Sequence, residues 1–265
     1  MTPAPSYRRP RNIDEATTLL ADATQTAVVL GGGTMVTPML TRGEVRPSLI
    51  VDPRDLSLDA IVFAPDRIEI GARVTYADVL ASAPLRDVLP LLVTVAQGIT
   101  GGAQIRNQGT LGGSACLANP SSDVPAYLVA TNAVLRLRGS GGVRMIAAED
   151  FFVDALSTAR RADELLTEIF VPRSGRRFGY AKLKLAESSW PIATAVAAFD
   201  DRSGAGTITL GGVHRRPLRV EIAAIDQIEE VVSMALDDPW DDVLASAEYR
   251  RQVAPVVARR AWAAL

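Results

Sequence analysis

Two glycine-rich segments, Gly31-Gly32-Gly33-Thr34 and Gly109-Thr110-Leu111-Gly112-Gly113-Ser114, stand about eighty residues apart in a chain of 265 residues. Each carries a hydroxyl side chain. A diphosphate has charged oxygens on both sides, and main-chain N–H groups approach it closely only where no Cβ intervenes. A hydrogen bond to a charged group contributes about 1.5–3 kcal/mol, so about four or five of them hold a dinucleotide without help from lysine. One such loop is an ordinary turn. Two suggest a clamp on a dinucleotide cofactor. Neither fits the usual fingerprints: Gly31 and Gly33 lack the third glycine of the Rossmann motif, and no Gly-x-x-x-x-Gly-Lys loop is present.

The other reactive residue types are scarce. Cys116 is the single cysteine and His214 the single histidine. One cysteine rules out an internal disulfide, and the pair supplies too few ligands for a zinc site or an iron–sulfur cluster in this chain. No metal ligand and no catalytic acid, base or nucleophile is assigned. Lys182 and Lys184 are the only lysines, side by side on one apolar-alternating run. The net charge of −2 offers no electrostatic footprint for nucleic acid or an anionic membrane. No apolar run reaches the length of a membrane span. The N-terminal stretch Met1-Thr2-Pro3-Ala4-Pro5-Ser6 has no apolar leader core, and the expected location is cytoplasmic.

The elements that must position these residues follow from periodicity and punctuation. Asn12 to Glu15 reads as a capping box opening an amphipathic helix. Ala27 to Leu30 is a short strand ended by the triple glycine, and Met35, Val36, Met39 and Leu40 then fall at helical spacing, so the first loop feeds a helix N-terminus, a place that favours anions. Strands are expected at 49–51, 61–63 and 68–70, the last two as a hairpin around Pro65-Asp66. Thr75 opens a helix, 89–96 is a second, 98–113 reads as loop, and 123–130 is helical. Strands follow at 134–137, 143–146 and 165–171. A polar linker, Arg173 to Arg177, marks a domain boundary. Beyond it lie three strands, 178–185, 192–199 and 207–213, and a helical pattern from Val220 onward.

The run Gln104-Ile105-Arg106-Asn107-Gln108-Gly109-Thr110-Leu111-Gly112-Gly113-Ser114, with Ala118-Asn119-Pro120-Ser121-Ser122-Asp123-Val124-Pro125, resembles the FAD-binding medium subunit of the molybdenum hydroxylases, the xanthine dehydrogenase and carbon monoxide dehydrogenase family. The resemblance covers nearly the whole chain. Val29 to Met35 through Leu40 is similar to the family's first flavin loop, Asp163 to Ile169 with Val171-Pro172 to the end of its flavin domain, and Tyr249-Arg250-Arg251 with Arg259-Arg260-Ala261 to its final helix.

The resemblance implies an α+β fold: a two-part FAD-binding fold of the vanillyl-alcohol-oxidase type over 1–173 (lobes 1–55 and 56–173), then a C-terminal α/β domain over 177–265 with three antiparallel strands and helices. It implies that Gly31, Gly32, Gly33, Thr34 and Met35, with Thr110, Leu111, Gly112, Gly113 and Ser114, embrace the pyrophosphate of FAD. Asp123 would accept hydrogen bonds from hydroxyls of the flavin chain, Leu166 would line the flavin site, and Lys182 would reach the pyrimidine edge of the ring. Cys116 takes the place of an apolar side chain against the flavin. The resemblance further implies an electron-transfer subunit of a heterohexamer, a dimer of heterotrimers. A large partner chain carries the molybdenum cofactor, a small one carries two 2Fe–2S clusters, and FAD on this chain hands electrons to NAD, oxygen or a quinone. The chain departs from the family at 184–191, Lys-Leu-Ala-Glu-Ser-Ser-Trp-Pro, where paired arginines and an aspartate are missing. That leaves a place near the flavin for Trp190. Two other readings stay open: a self-contained flavin oxidoreductase, for which no histidine base presents itself, and a flavin-free scaffold.

Overall fold

A computed structural model describes residues 4–22 and 24–265; Met1, Thr2 and Pro3, the start of the stretch read for a leader, and Ala23 lie outside the described residues. The chain begins with β1 (Ser6–Arg8), α1 (Ile13–Ala21), β2 (Ala27–Val29), α2 (Val36–Thr41) and β3 (Leu49–Val51), whose strands pair in parallel in the order β1-β3-β2. Asn12 Oδ1 accepts from the Glu15 N–H at 2.8 Å. The Glu15 carboxylate reaches back to the Arg11 N–H, one residue earlier than a capping box requires. Ala16, Leu20, Leu49 and Val51 close a small core beneath this sheet.

A second sheet follows, with its helices: β4 (Ile61–Phe63), β5 (Arg67–Gly71), α3 (Tyr76–Ala81), α4 (Ala83–Val88), α5 (Pro90–Gln97), α6 (Gly102–Gln108), α7 (Leu111–Leu117), α8 (Asp123–Ala130), β6 (Val134–Gly139), β7 (Gly142–Ala147), α9 (Ala148–Phe151), β8 (Phe152–Asp154), β9 (Ser157–Thr158) and β10 (Leu165–Pro172). Five of the strands form an antiparallel sheet, β4-β5-β10-β6-β7, and β8 pairs with β9. The stretch 98–113, expected as loop, contains α6 and the start of α7. Glycine content hid them, and two caps explain α7: Thr110 Oγ1 accepts from the Gly113 N–H at 3.0 Å, and Ala118 closes the helix in the left-handed region at φ +49°.

The remainder is β11 (Arg177–Lys184), β12 (Pro191–Asp200), β13 (Ala205–Gly211), β14 (Leu218–Ile222), α10 (Ile228–Ala235) and α11 (Ala247–Trp262). The sheet is antiparallel in chain order and has four strands where three were expected; Leu218 to Ile222, placed at the edge of the helical stretch, is the fourth. The α+β class holds. Helix α8 packs on β12 and β13 of the third sheet and against α5, α7 and α9. Every one of its residues is buried, as its sequence Asp-Val-Pro-Ala-Tyr-Leu-Val-Ala, apolar on all sides after the first residue, requires. Among the described residues no helix is long and apolar enough to cross a membrane.

The final helix is anchored by a charge. Arg250, fully buried, donates to the carbonyls of Ile192 (3.1 Å) and Gly212 and to Asp242 Oδ1 at 2.5 Å. Removing one member of such a set leaves the others unpaired in a water-poor site, which costs about 3–5 kcal/mol. Arg250→Met is therefore expected to lower the unfolding free energy by about 3 kcal/mol in urea titration, with α11 the first element to lose amide protection. A change below about 0.5 kcal/mol, the level of an ordinary surface substitution, would show that the anchor carries no such weight.

Candidate cofactor site

All three sheets contribute to one cavity of about 510 Å³, within the range of small-molecule and cofactor sites. Its wall includes β2 and the glycine run from the first sheet, segments 72–76, 99–105 and 110–123 from the second, and Ser188, Trp190 and Pro191 from the third. Gly31, Gly32, Gly33, Thr34, Met35, Thr110, Gly112, Gly113, Ser114, Cys116, Asp123 and Leu166 all line it. Leu111 and Lys182 do not. Leu111 turns into the main core, 1% exposed, and Lys182 is engaged elsewhere. His214 pairs with Pro239 in an isolated bridge, outside the lining.

The two glycine loops touch. A Cβ on Gly32 would lie 1.8 Å from the carbonyl oxygen of Gln108, so the first loop packs backbone to backbone against the residue preceding the second. Gly33 holds φ +73°, which suits glycine and turns the chain into α2. The loops differ in where their N–H groups go. In the second, Leu111 donates to Val74 O and Gly112 to Ala72 O, each at 3.0 Å, and Gly113 donates to Thr110 Oγ1. In the first, the N–H groups of Gly31 to Met35 have no partner among the described residues. Gly31 to Met35 are half-buried along the cavity wall, so these five donors are open to an acceptor placed in the cavity. They fit an anionic group held by the main chain. The second loop contributes shape and hydroxyls: Ser114 Oγ hydrogen-bonds to Tyr76 Oη, and burial pushes the Tyr76 phenol up to about 12.

Asp123 is the first residue of α8, capped by Ser122, and is 3% exposed. Its Oδ1 accepts from Tyr180 Oη at 2.8 Å and its Oδ2 from Lys182 Nζ at 3.1 Å. Lys182 Nζ also donates to Gly98 O at 2.8 Å. Burial raises the Asp123 pKa above the ordinary carboxylate value, partly offset by the Lys182 charge and the Tyr180 hydroxyl. Tyr180 is raised in turn, by burial first and then by the carboxylate. Thus the lysine expected at a flavin edge is held by Asp123 and a helix-end carbonyl. At the other end of α8, Arg219 Nη2 donates to Val129 O and to Asn132 Oδ1, each at 2.6 Å.

Sequence reasoning missed several wall residues. Tyr76 follows the Thr75 cap directly; Arg73 and Arg160 sit in short connections with no pattern to mark them. Glu164 lines the cavity but pairs with Arg144 at 2.7 Å. Trp190, offered as a flavin neighbour, does lie in the lining, on the segment where the paired arginines are absent.

The comparisons with known proteins agree in family. The family described as FAD binding domain in molybdopterin dehydrogenase matches residues 3–174. The carbon monoxide dehydrogenase medium chain of Afipia carboxidovorans is 33% identical over 272 residues, covering 96% of this chain and 94% of the relative. The glyceraldehyde dehydrogenase medium chain of Sulfolobus acidocaldarius is 30% identical over 273 residues, covering 97% and 96%. Among solved structures, the cyanide-inactivated Cu,Mo-CO dehydrogenase superimposes with a TM-score of 0.91 at 30% identity, covering 100% of this chain and 98% of that one.

Cys116 gives this site a measurable chemical signature. It is partly exposed, but burial of its sulfur pushes the thiol up to about 11. Only the thiolate is alkylated, and a raised pKa keeps the thiol neutral across physiological pH. Iodoacetamide should therefore modify the flavin-stripped chain about 100-fold more slowly at pH 8 than it modifies free cysteine, with the rate still rising about tenfold per pH unit up to pH 10. A plateau near pH 8.5–9 would contradict this.

Proposed function

The chain belongs to the FAD-binding medium subunits of the molybdopterin dehydrogenases, the carbon monoxide dehydrogenase and xanthine dehydrogenase family, and from that premise we propose that it holds FAD in the cavity described above as the electron-exit subunit of a three-chain enzyme. FAD bound there would exchange electrons between 2Fe–2S clusters on a small partner chain and an external acceptor. The chain's own share of the work is to bind and orient. The main-chain donors of Gly31 to Met35 take the diphosphate, and Thr110 and Ser114 border it. Asp123 keeps a spare lone pair on each oxygen for a hydroxyl of the flavin chain while Tyr180 and Lys182 hold it in place. Leu166, Cys116 and Trp190 supply apolar wall. Lys182 acts through Asp123, fixing its position and charge.

The partners in this reading are a large chain with the molybdenum cofactor and a small cluster-bearing chain, two of each with two copies of this chain. Residues 4–173 serve as the flavin-holding part and 177–265 as the part that closes the cavity. The observation that carries the reading is the row of N–H groups from Gly31 to Met35, without partners among the described residues, along a cavity to which all three sheets contribute.

Gly32→Ala tests it, because the added Cβ meets Gln108 O and forces the first loop away from the second. The expected result is a chain that keeps its circular dichroism but releases less than about a tenth of the wild-type FAD on denaturation, equivalent to a loss of about 1.4 kcal/mol or more. Undiminished flavin content would sink the assignment of the diphosphate to these loops. For the apolar wall, Trp190→Leu is expected to shift the visible flavin bands and to relieve quenching of flavin fluorescence; an unaltered spectrum would place Trp190 away from the ring.

A further inference from the structure

Four charged side chains line the cavity: Arg73, Asp123, Arg160 and Glu164. Three have partners. Asp123 pairs with Lys182, Glu164 with Arg144, and Arg160 Nη1 donates to the carbonyls of Arg161 (3.0 Å) and Glu164 (2.7 Å). Arg73 has none: its Nε and Nη1 are buried without an acceptor among the described residues. A guanidinium carries its charge at every accessible pH and presents five donors in a fixed fork. Burying two of its nitrogens without an acceptor is costly unless something supplies one.

The backbone around Arg73 says where that acceptor belongs. Ala72 O accepts from the Gly112 N–H and Val74 O from the Leu111 N–H, each at 3.0 Å, so residues 72–74 form the rail on which the second glycine loop rests. Residues 71–74 form a turn closed by the Val74 N–H on Gly71 O at 3.0 Å; Val74 is buried in the main core, while Ala72 and Arg73 both border the cavity. Arg73 therefore stands at the cavity wall beside the second glycine loop. The geometry points to Arg73 as a further cofactor-binding residue, its guanidinium donating to the oxygens of the cofactor diphosphate from the side of the second glycine loop. The first loop offers main-chain dipoles and Arg73 a full, planar cation, the group best matched to phosphate oxygens. This assignment rests on the FAD reading of the cavity and goes beyond it, because that reading uses main-chain donors alone.

The full-length chain, stripped of flavin, is titrated with FAD, ADP and riboflavin as wild type, Arg73→Gln and Arg73→Lys. Arg73→Gln is expected to weaken FAD and ADP by the same factor, about 10- to 100-fold, and to leave riboflavin unchanged; Arg73→Lys recovers part of the loss. The wild type should also lose FAD affinity with added NaCl more steeply than Arg73→Gln, since the variant has one fewer charge to screen. If the wild type binds FAD and Arg73→Gln, folded by circular dichroism, binds it equally well, the role of Arg73 is overturned and the cavity assignment stands. An equal loss for riboflavin would also overturn it, as that ligand has no phosphate. If the wild type binds neither FAD nor ADP, the cavity assignment fails and the Arg73 role with it.

Discussion

A buried carboxylate at the head of an apolar helix is the constraint on which the rest of this structure depends. Asp123 sits at the start of α8 with 3% of its surface exposed, beside Tyr180 and Lys182, which reach it from β11. An isolated charge at that depth would cost several kcal/mol, so the carboxylate and the ammonium are tolerable only together. Since Asp123 heads α8 and its partners stand on β11, the pairing also fixes how the helix meets the third sheet. Arg219 on β14 does the same for the other end of the helix, taking up the carbonyl of Val129. A helix this apolar has no polar face to set its rotation. The two polar clasps at its ends supply that register, and the cavity wall that begins at Ser122 and Asp123 inherits it.

The two glycine loops serve one cavity by different physical means. Glycine at 112 is required because Ala72 lies where a Cβ would stand, and its N–H is spent on that same contact. Glycine at 32 is required by the carbonyl of Gln108, but its N–H is left free. The N–H groups of Leu111, Gly112 and Gly113 are spent within the fold, while those of the first loop have no partner among the described residues. A glycine in a sequence carries no mark of where its N–H will go. The same distinction explains why Leu111, inside the second motif, is a core residue.

Much of this was legible before any coordinates. The Asn12 and Thr75 caps, the hairpin at Pro65-Asp66, the buried helix from Asp123 and the strand from Leu165 all rest on local signals that tertiary packing did not override. The failures have equally local causes. Helix α7 is short, glycine-rich and stabilised by its caps and by the rail at 72–74, and α6 is short and opens on two glycines in the left-handed region, so propensity argues against both. Strand β14 is short and follows a proline, and pairing with β13 rather than its own pattern makes it a strand. On the site, residues within motifs were found and residues beside them were not. Tyr76 and Arg73 reach the cavity through the strand-to-helix connection at 72–75, which no spacing rule marks. Lys182 stands out in the sequence by its rarity, and its place beside Asp123 depends on the packing of α8 against β11.

The wall also shows how a subunit can serve enzymes with unlike substrates. Its relatives bear the names of a carbon monoxide dehydrogenase and a glyceraldehyde dehydrogenase, which share no substrate chemistry. What recurs across such a family must be indifferent to substrate. On the proposed reading the cavity is so built, with main-chain donors and a cation for phosphate, a carboxylate for hydroxyls, and Leu166, Cys116 and Trp190, all in its lining, for an apolar ring. The Tyr76 phenol and the Cys116 thiol are held up to about 12 and 11, and the Asp123 carboxyl, raised by burial, is tied to Lys182 and Tyr180. The single histidine lies outside the lining, so the wall offers no imidazole for general acid–base turnover. On the reading proposed above, groups fixed in this way hold a cofactor still, and that is the physical argument for a carrier over a self-contained oxidoreductase.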